Sequence, residues 1–157
     1  MSTEENKALF RRWFEPPGGW ENLNRQIHEA EDPKTAMEEF YRKARSEFFA
    51  PDFIRHHTRG DMNLDSYVQW DSAFWAAIPD LNMSIKEIIG EGDWVMARLT
   101  MRGTHKGDFQ GIPATDKKID IGAMMACRFV GGKFAEFWVY SDQLGMMQQL
   151  GVIPTPG

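Results

Sequence analysis

The side chains that could move a proton near neutral pH gather in two stretches of this chain. Phe53-Ile-Arg-His-His-Thr-Arg59 carries the adjacent pair His56 and His57, and Trp138-Val-Tyr-Ser-Asp142 carries Tyr140 and Asp142. Imidazole titrates at about 6.5, so either histidine suits proton carriage or a hydrogen bond to a ligand. The plainer alternative is a surface-loop histidine bonded to backbone. Asp142 falls where a strand gives way to a terminal helix. It reads as an N-cap, worth about 0.5–2 kcal/mol, or as an acid reaching into a cavity. Tyr140, with an ordinary pKa of about 10, is a hydrogen-bond donor and a weak acid at neutral pH. His105 ends a long strand and is expected to bond the loop that follows it. No metal site is expected, because four histidines and the single Cys127 show no ligand spacing and adjacent histidines seldom chelate one ion. No cofactor is expected either.

Such groups need a scaffold, and the composition bounds it. A chain of 157 residues suits one domain, and 42% hydrophobic residues with six Trp supply a core. The net charge of −5, with scattered Lys and Arg, gives no basic stripe for nucleic acid. No apolar run approaches the roughly 18 residues of a membrane span, and the acidic, polar N-terminus is unlike a signal peptide. One cysteine excludes an intrachain disulfide and fits a reducing cytoplasm. The expected partners are therefore a small apolar or aromatic molecule and a second copy of the chain.

Apolar periodicity predicts helices first and strands after. Glu4–Phe14 reads as a helix with Ser2 or Thr3 as its cap, and Pro16-Pro17-Gly18-Gly19 ends it. Trp20–Asp32 reads as a loop with at most a helical turn. Asp32-Pro33 opens a helix to about Phe49, and Pro51 breaks it. Asn63 or Asp65 opens another through Ala77, with Tyr67, Trp70 and Phe74 along one side. Strands follow at Asn82–Ile89, Trp94–Thr104, Ile119–Phe129 and Phe134–Tyr140, the last two joined through Gly131-Gly132. Gln143–Leu150 is a closing helix. Long strands apolar on both faces need two covers. The helices cover one; a ligand cavity or a partner subunit is expected to cover the other.

Several short pieces occur in order between Phe49 and Ile153: Pro51-Asp52-Phe53, Ile78-Pro79-Asp80-Leu81, Glu91-Gly92-Asp93, Gly103-Thr104-His105, Gly111-Ile112-Pro113, Gly132-Lys133 and Asp142-Gln143-Leu144-Gly145. Their order and spacing resemble the SnoaL-like polyketide cyclases of the nuclear transport factor 2-like superfamily. The resemblance implies an α+β cone, with N-terminal helices packed on a curved, mainly antiparallel sheet and a short C-terminal helix. It treats 1–157 as a single domain, with 51–153 matching best and a 1–50 helical part longer than usual. It also implies a pocket where a strand histidine and a strand aspartate perform the acid/base work of an aldol closure. On this chain those two positions fall on Met125 and Val139, neither of which can move a proton.

The expected pocket is accordingly drier than a cyclase site. Ile121, Ala123, Met125, Phe137 and Val139 alternate toward it from the strands, Trp70 and Phe74 face it from a helix, and His56 stands at its mouth. His57 and Asp142 would replace the missing pair, with Tyr140 donating a hydrogen bond. Three functions remain open at this point. They are cyclisation or isomerisation of a polycyclic or aromatic metabolite, binding without catalysis, and a lyase or hydrolase reaction using a pocket histidine and water.

Overall fold

The computed structural model describes residues 1–156. The element order is α1 (Thr3–Phe14), α2 (Gly19–His28), α3 (Pro33–Phe48), β1 (Phe49–His56), β2 (Met62–Asn63), α4 (Leu64–Ala77), β3 (Asn82–Glu91), β4 (Trp94–Thr104), β5 (Lys118–Val130), β6 (Lys133–Ser141) and α5 (Gln143–Gln149). The strands form one six-stranded sheet in the order β2-β1-β6-β5-β4-β3. All pairings are antiparallel except that of β1 with β6, which is parallel. This is the α+β architecture the periodicity predicts, with helices on one side of an open sheet. No helix among the described residues is long and apolar enough to cross a membrane.

Local chemistry sets the helix ends. Ser2 caps α1 in a reciprocal capping box with Glu5. Asp32 caps α3 just ahead of Pro33, and Asn63 caps α4. Besides the two-residue strand β2, two segments differ from the sequence expectation. Trp20–Asp32 is mostly the helix α2, because Trp20, Leu23 and Ile27 share one face and pack with Trp75 and Leu81. Asn24 locks that face in place: its Oδ1 accepts from the Trp75 indole at 2.8 Å, and its Nδ2 donates to the Leu81 carbonyl at 2.9 Å. The second difference is β1, which leaves α3 with no loop at all. Pro51 does stop the helix, but the chain continues extended, and the β1–β6 register shifts between Phe49 and Ile54 around it.

Strand alternation gives the sheet two unlike faces. Val95, Ala97 and Leu99 of β4 and Ile119, Ile121, Ala123, Met125, Cys127 and Phe129 of β5 are buried beneath the helices. Trp94, Met96, Met124 and Tyr140 lie on the other side and are exposed. Phe10, Phe14, Phe49, Phe53, Tyr67, Phe134 and Phe137 pack edge to face and tilted against one another at one end of the cone. This aromatic packing fills the interior there. A large open space remains toward the other end, where β1, α4, β6 and α5 meet.

Candidate functional site

That space is a cavity of about 540 Å³, walled by Arg55, Trp70, Phe74, Ile121, Val139 and Met146. Its mouth carries His57, Arg59, Gln110 and Gln143. Among the described residues no Asp or Glu contributes to its wall. The volume suits a small multi-ring ligand.

Arg55 comes from β1, next to Phe137 in the parallel register and one alternation short of Val139 on the same face. Its side chain is 5% exposed. The guanidinium lies 4.1 Å from the centre of the Trp70 ring and 5.9 Å from that of Tyr67. Nε and Nη1 are buried with no hydrogen-bond partner. His57 follows two residues on. Its Nδ1 accepts from the Arg59 amide at 3.1 Å, which requires Nδ1 to be unprotonated. The neutral ring therefore carries its proton on Nε2. Desolvation, with the charges of Arg55 and Arg59 added, lowers the His57 pKa from its ordinary value. His57 is thus a neutral imidazole at pH 7 whose free nitrogen donates rather than accepts.

A second, smaller cavity of about 260 Å³ lies on the opposite flank of α4, among Trp13, Trp20, Phe40, Tyr67 and Trp75. Half-buried Asp71 opens onto it and accepts a 2.6 Å hydrogen bond from the Tyr41 hydroxyl. Burial raises the Asp71 pKa, against the opposing effects of Tyr41 and of the Arg55 charge. Residues 70 and 71 therefore serve different cavities from adjacent positions of one helix.

With this geometry in view, comparison with known proteins decides the family. The family model of the SnoaL-like polyketide cyclases matches residues 33–150. The chain belongs to the SnoaL-like polyketide cyclase family. It is 31% identical over 131 residues to the aklanonic acid methyl ester cyclase DauD of Streptomyces sp. (strain C5), covering 76% of this chain and 81% of that protein. It is 30% identical over 113 residues to the aklanonic acid methyl ester cyclase DnrD of Streptomyces peucetius, covering 70% and 77%. In fold it is similar to AclR, a putative hydroxylase from Streptomyces galilaeus, with a TM-score of 0.74 at 24% identity, covering 99% of this chain and 87% of that one.

Within this SnoaL-like domain the expected site residues separate into three groups. Trp70, Phe74, Ile121, Val139 and His57 line the large cavity. Met125 and Phe137, at 6% and 1% exposure, belong to the packed core with Phe14 and Phe53, and Ala123 is buried without reaching the cavity wall. The aromatic filling displaces the space they were expected to border. The third group faces elsewhere. Tyr140 alternates with Val139 and so falls on the outer side of the sheet, 69% exposed, touching the cavity only at its rim. Asp142 is exposed and caps α5, with Oδ1 accepting from the Gly145 amide at 2.8 Å. His56 also points outward. It stacks on Trp138 at 4.1 Å and contacts Glu136 at 3.1 Å and Asp61 at 3.3 Å. Arg128 bonds that same Glu136 and holds its carboxyl below the usual range.

His105 is 2% exposed, and its Nδ1 lies 3.0 Å from the Thr115 hydroxyl, which ties the strand end to the following loop as expected. Sequence reasoning missed Arg55, Arg59, Gln110, Gln143 and Met146 at the large cavity, and Asp71 and Tyr41 at the smaller one. Arg55 had a visible signal: with β1 read as a strand, Phe53 and Arg55 alternate inward while His56 turns out.

Proposed function

We propose that this SnoaL-like chain binds a small aromatic or polycyclic carbonyl compound in the Arg55–Trp70–Val139 cavity and promotes its ring closure or isomerisation. The single observation that carries the reading is His57, held by the Arg59 amide as a neutral Nε2–H donor at the mouth of a cavity also walled by Trp70, Phe74, Ile121 and Val139. A neutral imidazole can polarise a carbonyl without giving up its proton. The positions that family resemblance assigns to histidine and aspartate hold Met125 and Val139, so carbonyl polarisation replaces the usual acid/base pair. An aldol closure forms a carbon–carbon bond between an enolate carbon and a carbonyl carbon. Water takes the α-proton, which the two carbonyls of a 1,3-dicarbonyl compound make acidic; the C=O π bond breaks as the carbon–carbon bond forms, the alkoxide takes a proton back from water, and mass is conserved. Relatives named as aklanonic acid methyl ester cyclases support a substrate with rings already built and a reactive side chain.

A second reading is binding without turnover. It draws on the same wall, which offers no carboxylate to abstract a proton. In either case the assembly proposed is a cytoplasmic homodimer joined through the exposed outer face of the sheet. The test is incubation of the protein with anthraquinones bearing a 1,3-dicarbonyl side chain, followed by chromatography with mass detection. Conversion to an isomer of unchanged mass, slowed in His57→Phe, supports catalysis. Saturable binding with no isomer supports the second reading. Failure to bind any of these compounds refutes both.

A further inference from the structure

We infer that the smaller cavity is a second binding site, and that its ligand is a small organic cation bearing an alkylammonium group. The rings of Trp13, Trp20, Phe40 and Trp75 hold the cation, and the Asp71 carboxylate is its counter-ion. The inference stands apart from the reading of the large cavity. Three observations lead there.

First, the acid is within reach. Asp71 lines this cavity and not the large one. Its Oδ2 accepts from the Tyr41 hydroxyl at 2.6 Å. Its Oδ1 makes no hydrogen bond among the described residues and is not closed off by the packing around it. A donor inside the cavity can therefore meet that oxygen.

Second, no basic side chain answers Asp71. Arg55 acts on it from the other flank of α4, but its guanidinium lies on Trp70 and outside this cavity. No ion pair joins Asp71 to a base among the described residues. The other two charged residues of the wall, Arg12 and Glu47, are exposed and pair with each other. The wall is left with one unmatched negative charge.

Third, the rings around that charge present π surface. Trp20 Nε1 donates to the Phe14 carbonyl and Trp75 Nε1 to Asn24 Oδ1, each at 2.8 Å. Both indole donors are thus spent within the chain. The Trp13 and Phe40 rings stack with centres 6.1 Å apart, and Phe40 meets Trp75 edge to face at 5.2 Å. Faces of such rings attract a cation, those of Trp most strongly. Trp13 and Trp20 precede residues 33–150, so half of this cage stands outside the part of the chain that the family model matches.

The two kinds of wall together narrow the class. An uncharged apolar ligand would strip water from the carboxylate and return nothing, which is costly. An anion would be repelled. An alkylammonium donates to Oδ1 in a charge-assisted hydrogen bond and rests its carbons on the rings. A volume of about 260 Å³ suits a ligand of one ring or a short chain.

The experiment compares benzylammonium with benzyl alcohol by isothermal titration calorimetry on the full chain at pH 7.5. The two share a ring and differ in charge. We expect the ammonium to bind roughly ten- to hundred-fold more tightly, the range a charge-assisted hydrogen bond supplies. Asp71→Asn, which keeps the side-chain size and an acceptor for Tyr41, should abolish that preference and leave the alcohol's affinity unchanged. Phe40→Leu should weaken ammonium binding by about two- to tenfold through the lost ring face. Circular dichroism checks that each variant is folded; if Asp71→Asn is not, Phe40→Leu decides the matter. Equal affinity for ammonium and alcohol, a preference that survives Asp71→Asn, or no binding of benzylammonium at millimolar concentration overturns the inference. An ammonium affinity untouched by Phe40→Leu overturns the part assigned to the rings.

Discussion

Replacing Arg55 by methionine should make the unliganded protein more stable. The cost of burying Arg55 has two parts that can be weighed. Nε and Nη1 are buried and unpaired, and each such group costs about 1–3 kcal/mol. Against this stands the contact with Trp70 at 4.1 Å, worth about 2 kcal/mol when desolvated. Methionine covers the same ground as the arginine stem and carries no donors, so the apolar contribution changes little. Two orphaned donors against one ring contact leave a gain of about 2 kcal/mol. For a domain of this size that moves the melting temperature up by about 4–8 °C. Removing Arg55 also withdraws a positive charge that favours ionised Asp71, which works against the gain. The Arg55→Met/Asp71→Asn double variant, set beside the two single variants, separates that coupling. Urea unfolding at pH 7.5, without ligand, measures all four proteins. If Arg55→Met brings no gain in stability, whether introduced into the wild type or into the Asp71→Asn variant, the reasoning is refuted: Arg55 would then be well satisfied where it stands.

Three further outcomes follow from the same geometry. Stability should fall as the pH drops below about 6.5, because His28 and His57 both have lowered pKa values in the folded chain, chiefly from desolvation. The unfolded state then binds protons that the folded state resists; NMR titration placing both rings at or above 6.5 contradicts this. Asp71→Asn should stabilise the protein at pH 7, and the gain should shrink toward pH 4. Burial raises the folded pKa of Asp71, so the wild-type contribution is full below the unfolded value and is lost as pH rises through the folded one. A gain that stays constant across denaturation curves at the two pH values removes the desolvation argument. Light scattering should give about twice the chain mass of 18.1 kDa, and Met124→Glu should reduce it to one chain, since Met124 is 62% exposed amid Met96 and Tyr140 on the outer face. A wild-type monomer at micromolar concentration rules out the homodimer.

Strong periodicity made most of the fold legible. The four long strands and the helices α1, α3, α4 and α5 follow from alternation, caps and Gly-Gly or Pro punctuation, and their boundaries lie close to those expected. α2 was hidden because it opens on Gly18 in a left-handed conformation without a side-chain cap. Its apolar face makes sense only against Trp75 and Leu81, which are far away in sequence. β1 was hidden by Pro51, a valid helix stop that says nothing about what comes next. That omission propagated into the site. With 49–56 read as loop, Arg55 had no side to point to, and the pocket looked drier than it is. Asp142 and Tyr140 show a complementary limit. Their proximity to a pocket rim was readable, but one is spent capping a helix and the other is set by parity on the far side of the sheet. Met125 and Val139 share a sheet face by parity, and only packing separates them into core and wall.

The aromatic filling at one end of the cone also governs how this domain could change. For the ligand proposed for the large cavity, reach into the domain is set by the packed rings of Phe53, Phe137 and their neighbours, which fill the core beyond the cavity. Lengthening the cavity means removing rings, and each removal carries the full penalty of an interior void, about 3–5 kcal/mol for Phe→Ala. Typical domains hold about 5–15 kcal/mol in reserve, so two such truncations would consume most of it. Adaptation to a longer ligand is therefore expected to proceed through Leu or Met at these positions, or after stabilising changes elsewhere. Adaptation at the Gln110–Gln143 mouth, where side chains already meet solvent, carries no such penalty. The two ends of one small cone thus offer very different rates of divergence: conservative in how deep a ligand reaches, and permissive in what it presents at the entrance.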